Sequence, residues 1–226
     1  LSIIYRLNGD GLEDYWSFSS QSAFMAGTGY VNNASGALAF SIGTLTSPDG
    51  LFSFTPTLVY NTSWAGKYFK ATDIDVPYDK ELVGKGFKMN MFETLRKELY
   101  YDADSNYVSC LVWNDADGTP HYFYPEDQNG TTIYKDADGL HITIVEDGDH
   151  YVMTDQNFTV RRFLKGTNSL IHVHPGAVLE TIQDCAGNKL QYVLSDNAKV
   201  TEINLIPYNQ EPIELFRFVY CSDGLL

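Results

Sequence analysis

The chain has 226 residues, with 29 acidic against 15 basic side chains and a formal net charge of −14. Hydrophobic residues make up 44% and aromatics 14%, enough to build a core and too much for a disordered segment. No apolar run approaches the roughly 20 residues that a membrane helix needs, and so large an acid excess argues against nucleic acid as a partner.

Residues 1–5 (Leu-Ser-Ile-Ile-Tyr) carry neither a basic n-region nor a full apolar h-region. The chain starts without Met and stops on Leu225–Leu226. It reads as one fragment, 1–226, of a longer protein. Within 1–60 the only basic residue is Arg6, and charges become frequent from 61 onward. That shift suggests two sub-layers, N-terminal strands over 1–60 and hairpin repeats over 61–226. No Pro/Ser-rich linker separates them.

Leu38–Ile42 predicts a short strand between Asn33-Ala34-Ser35-Gly36 and Gly43. Phe52–Tyr60 alternates apolar with polar, and Pro56 inside it predicts an edge strand or a bulge, because proline cannot donate to a ladder. Gly27-Thr28-Gly29 lacks a following helix and a Lys, so it is no phosphate loop. Lys88–Tyr101 reads two ways. Phe92, Leu95 and Leu99 suit a helix face, whereas Met89, Met91, Glu93 and Leu95 alternate along one side of a strand. The hairpins on both sides favour the strand.

From Trp113 a pattern repeats. An Asp/Gly turn between alternating strands occurs at Asp115–Gly118, Asp136–Gly139, more loosely at Asp155–Phe158, and at Asp184–Gly187. Two residues ahead of each turn stand Trp113, Tyr134, Met153 and Ile182. Their spacing is about 20 residues, one hairpin per repeat, lengthened before the last by an insert around Asn168–Gly176. Asp favours turns and Gly supplies positive φ. The fold expected is all-β, successive antiparallel hairpins forming a meandering sheet, curved or sandwich-like.

These hairpins resemble those of RHS (YD-repeat) proteins. The run Asp115-Ala116-Asp117-Gly118-Thr119-Pro120-His121-Tyr122-Phe123-Tyr124 is similar to that family's D-x-D-G-T-x-H-Y-F hairpin. Asp136–Leu140 and Asp184–Leu190 are similar to its D-x-x-G-L and D-x-x-G-N units. Asp14–Phe18, Ala26–Asn33, Leu58–Asn61 and Gly84–Asn90 complete the order. The resemblance spans roughly 12–200 and matches the region before or opening the repeats in secreted or surface proteins of Gram-positive bacteria. It implies an all-β module of a much longer chain, whose repeats coil into a shell able to enclose a toxin. The strict G-R-x-x-x-Y-x-Y-D signature is absent, and Ile171–Gly176 interrupts the series.

Candidate chemistry is sparse. Asp115/Asp117 and Asp136/Asp138 offer paired carboxylates to calcium but too few ligands per turn. His172 and His174 alternate on one strand and need a third ligand, His121 or His141, to hold zinc. Cys110, Cys185 and Cys221 lack CxxC spacing and read as small buried hydrophobes, with Cys185–Cys221 as the one pairing to consider. There is no GxSxG or HExxH motif, and no enzyme, metal or cofactor is expected. The sequence therefore predicts a structural module whose partner is the rest of its own polypeptide. The alternative is a β-sandwich that binds carbohydrate or a host surface through Trp64, Trp16 and Trp113, of which Trp64 lies in a polar turn.

Overall fold

A computed structural model of the chain describes residues 17–22, 27–43, 56–62, 68–71, 74–77, 87–101, 107–166, 176–195 and 199–221. Strand dominates, and no helix occurs among these residues. The chain divides into two compact units. One comprises Thr94–Asn114 and Pro120–Arg217, the other Arg6–Glu93, Asp115–Thr119 and Phe218–Leu226.

The N-terminal unit holds β1 (Phe18–Ser22), β2 (Thr28–Asn32), β3 (Leu38–Gly43), β4 (Thr57–Asn61), β5 (Tyr68–Ala71), β6 (Ile74–Pro77) and β7 (Phe87–Met89). An antiparallel sheet runs β1-β2-β3-β4-β7, and β5 pairs with β6 as a separate hairpin. The strand expected at Leu38–Ile42 is β3. The run ending at Tyr60 becomes β4, with residues 51–55 outside the described set. β4 lies between β3 and β7, so it is no edge strand. Pro56 is buried just ahead of Thr57, where a missing N–H costs the ladder nothing.

The larger unit is a meander. It comprises β8 (Thr94–Tyr101), β9 (Tyr107–Asn114), β10 (Pro120–Gln128), β11 (Thr131–Asp136), β12 (Thr143–Asp147), β13 (His150–Thr154), β14 (Val160–Lys165), β15 (Ala177–Gln183), β16 (Lys189–Leu194), β17 (Val200–Ile206) and β18 (Ile213–Arg217). Each strand from β8 to β15 pairs antiparallel with the next. β15 then returns to β8, through Ala177↔Leu95 and Val178↔Thr94, closing a barrel of eight strands. The far half of β15 pairs with β16 instead, and β17 and β18 extend the sheet outside the barrel. A bulge lets β15 serve both partners, since its register against β14 slips between Arg162 and Phe163, opposite Glu180.

The seam depends on Gly176. A Cβ there would collide with the Leu95 carbonyl oxygen, so only glycine lets β15 approach β8 this closely.

Register places one residue set on the inner face, because cross-strand partners share a face. Leu95 faces Trp113, Leu111 faces Phe123, Ile144 faces Met153 and Phe163 faces Leu179. Leu95, Leu111, Phe123, Ile144, Met153 and Phe163 are all 0% exposed and form the barrel's core. Each fully buried side chain of this kind stabilises by about 1.5–3 kcal/mol at most. Of the four residues that mark the sequence period, Trp113, Tyr134 and Met153 are buried on this face and Ile182 is half-buried. The period of about 20 residues is thus two strands and their turns, repeated with the same face inward.

Lys88–Tyr101 is not helix, but neither is it one strand: β7 ends at Met89, the chain turns through 90–93, and strand resumes at Thr94; Met89, Met91, Glu93 and Leu95 are buried, and so is Lys88. Cys110 is buried as expected, but Cys185 and Cys221 are exposed, and all three are free thiols. The Cys185–Cys221 pairing is therefore not made.

Candidate functional site

The Asp turns share one construction. At 155–159, the Asp155 N–H donates to Thr159 O (3.2 Å) and Phe158 N–H donates to Asp155 O (3.0 Å). Asp155 Oδ1 accepts from Asn157 and Thr159 N–H at 2.8 and 2.9 Å. At 184–188, Asp184 Oδ1 accepts from Ala186 and Asn188 N–H, both at 2.9 Å. At 115–119, Asp115 Oδ1 takes the N–H groups of Asp117, Gly118 and Thr119 at 3.1, 2.8 and 2.8 Å. The fourth residue is left-handed in each: Gly118 (φ 86°), Phe158 (φ 60°) and Gly187 (φ 90°). This is the three-residue hairpin loop, a turn followed by an αL residue. The 136–142 loop is wider, with Asp136 accepting from Leu140 and Ile142 N–H at 2.6 and 2.7 Å.

The first carboxylate of every turn is thus spent on backbone donors. Among the described residues no group of three or more His, Cys, Asp or Glu is arranged to hold a metal ion. His121 is buried, with Nδ1 3.0 Å from Asp138 Oδ2. His141 is exposed, in the left-handed region at φ 57°. His172 and His174 lie outside the described residues.

Of the aromatic residues expected to form a platform, Trp16 and Trp64 also lie outside them. Trp113 is 7% exposed. Its ring packs 5.1 Å from that of His121, and the Arg161 guanidinium lies 5.6 Å from its centroid. With Asp155 3.7 Å from Arg161, these groups gather toward the end of the barrel that carries the 155–159 turn. Trp113 is part of the core and offers no open face to a sugar.

The other end carries a charge cluster from three strands. Lys97 Nζ (β8) and Lys165 Nζ (β14) each lie 2.9 Å from opposite oxygens of Glu146 (β12). Lys165 also donates to Gly148 O at 3.0 Å, and its ammonium sits 4.5 Å from the Tyr151 ring centroid. Tyr134 OH donates to Glu146 Oε1 at 3.4 Å. Partial burial opposes both charges, but the hydrogen bonds outweigh it. Glu146 is held below the ordinary carboxylate pKa and Lys97 above the ordinary ammonium pKa. Burial pushes the Tyr134 and Tyr151 hydroxyls up. Nearby, the His150 ring nitrogens lie 2.6 Å from Asp149 Oδ1 and 3.0 Å from Glu180 Oε2.

In the N-terminal unit Lys88 on β7 is buried and donates to the Asp115 main-chain oxygen. Burial lowers its pKa, against the pull of Asp115, Glu93 and Asp117. It anchors the 115–119 turn from within that unit. Cys110 is no nucleophile at neutral pH, because burial pushes its thiol up to about 11.

Sequence reasoning missed the Lys97–Glu146–Lys165 cluster, since nothing local connects three residues on separate strands. It also missed exposed rings at two hairpin tips, Phe158 and Tyr208. The signal for Phe158 was present: a Phe stands where the sister turns have Gly. The chain is all-β, and its larger unit is a closed eight-stranded barrel with a three-strand extension. No protein-family model matches the chain, and no curated protein matches it. No helix among the described residues is long and apolar enough to cross a membrane.

Proposed function

We propose that the chain is a non-catalytic structural module of a secreted or cell-surface bacterial protein of the RHS (YD-repeat) kind. Its main partner in this reading is the remainder of its own polypeptide. The observation that carries the reading is the reuse of one Asp-based turn at 115–119, 155–159 and 184–188, each joining two strands of one continuous sheet. Repetition of a supersecondary unit along one sheet is the mark of a scaffold that grows by adding units. Among the described residues β18 has a strand neighbour on one side only, β17. Its other edge is suited to receive the next hairpin. The turn carboxylates support the same reading, because each holds the backbone N–H groups of its own hairpin.

The test is the reading frame that encodes the chain. Further hairpin units followed by a variable, toxin-like C-terminal region are expected. A frame that stops soon after Leu226, or runs directly into an unrelated enzyme, would overturn the proposal.

A further inference from the structure

Three hairpin tips stand side by side at one end of the larger unit. The 155–159 tip joins β13 to β14, 184–188 joins β15 to β16, and 207–210 joins β17 to β18. Val160 pairs with Gln183 and Lys189 with Ile206, so the tips are neighbours, about 10 Å apart at two strand spacings each. The outer tips have matching content. One presents Gln156, Asn157 and Phe158, the other Tyr208, Asn209 and Gln210, and all six are exposed. The middle tip presents only Cys185 and Ala186 beside Gly187.

Both rings are exposed. Phe158 is 72% exposed while its backbone sits at φ 60°. The same turn uses Gly at this position in Gly118 and Gly187. A bulky residue there is strained, and this one recovers nothing by burial. Tyr208 is 64% exposed. One face of its ring rests on Gly187, where a Cβ would come within 2.7 Å of Cδ2. Its backbone N–H donates to Asn188 Oδ1 at 3.0 Å, which ties the 207–210 tip to the 184–188 turn and leaves the rest of the ring exposed.

We infer that these tips form a binding surface for an uncharged polysaccharide. Two exposed rings offer flat apolar faces to the C–H faces of sugar rings, and the amides of Gln156, Asn157, Asn209 and Gln210 donate to and accept from hydroxyls. An apolar protein pocket that swallowed the rings would strand those amides without partners. A peptide adding as a strand needs a free edge, which tips do not supply. Neither triplet carries a charge, and the net charge of −14 repels polyanions. The surface does not use Trp16, Trp64 or Trp113, and it stands independently of the scaffold reading.

The test is affinity electrophoresis of the whole chain through gels containing uncharged polysaccharides (soluble glucans, xyloglucan, galactomannan), with polygalacturonate as the anionic control. At least one uncharged polymer is expected to retard the protein, and polygalacturonate to leave it unaffected. Phe158→Gly and Tyr208→Ala are each expected to weaken retention about tenfold. Phe158→Gly is also expected to melt at or above the parent temperature, because glycine suits the observed φ. Absence of retardation by every uncharged polymer would overturn the inference. So would retention that survives both substitutions, or a Phe158→Gly variant that unfolds.

Discussion

The two ends of the larger unit are held by different chemistry. At one, the turns at 155–159 and 184–188 close on themselves, each Asp taking N–H groups within four residues of its own position. At the other, Lys97, Glu146 and Lys165 meet from three strands, and Gly176 brings β15 against β8. The first arrangement is complete inside a single hairpin. The second exists only once the meander has closed. One end is therefore written in local sequence, and the other is a product of topology, which long-range contacts must close against chain entropy.

Substitutions at the two glycines should break this comparison most sharply. Gly176→Val forces a side chain onto the Leu95 carbonyl at a seam of two residue pairs. A loss of about 3 kcal/mol in urea-induced unfolding is expected, with the turn end left intact in hydrogen exchange. Gly187→Ala should cost about 2 kcal/mol, from φ 90° and the approach to Tyr208. Adding Tyr208→Ala should return the steric part but not the backbone part, and a double-mutant cycle reads the difference.

Smaller effects sharpen the contrast at the charged end. Glu146→Gln should cost less than about 1 kcal/mol, because the pair is partly solvated, and the loss should shrink in high salt. The pH dependence has a definite sign. Glu146 titrates below its unfolded value, so its contribution is present above the ordinary carboxylate pKa and disappears as pH falls through the folded one. Lys97 titrates above its unfolded value, so its contribution is present below the ordinary lysine pKa and is lost as pH rises through the folded one. Melting curves of parent and Glu146→Gln should therefore converge in acid.

What was legible in the sequence follows the same division. The hairpins at Asp115, Asp136, Asp155 and Asp184 were readable because turn chemistry is local. The Asn129-Gly130 turn joining β10 and β11 carried an equally local signal, with both residues at positive φ (56° and 83°). It was overlooked beside the stronger Asp pattern. The strand at Thr94–Tyr101 defeated helix propensity because Leu95 must face Trp113 and Ala177 across two ladders. Barrel closure was not readable, since no local feature of Gly176 names Leu95 as its neighbour. An aromatic beside a turn is as useful to a core as to a ligand, and Trp113 went to the core, between His121 and Arg161.

The central claim is that the turn carboxylates hold the scaffold together and do not serve a ligand. Thermal melting of the parent and of Asp184→Ala, each in calcium and in EDTA, tests it most directly. Loss of the hydrogen bonds to Ala186 and Asn188 N–H should cost about 2 kcal/mol and lower Tm by about 4–8 °C. The same shift is expected in both buffers, with the parent indifferent to EDTA. A parent that loses stability in EDTA while Asp184→Ala melts identically in both would contradict the account and make the turns cation sites.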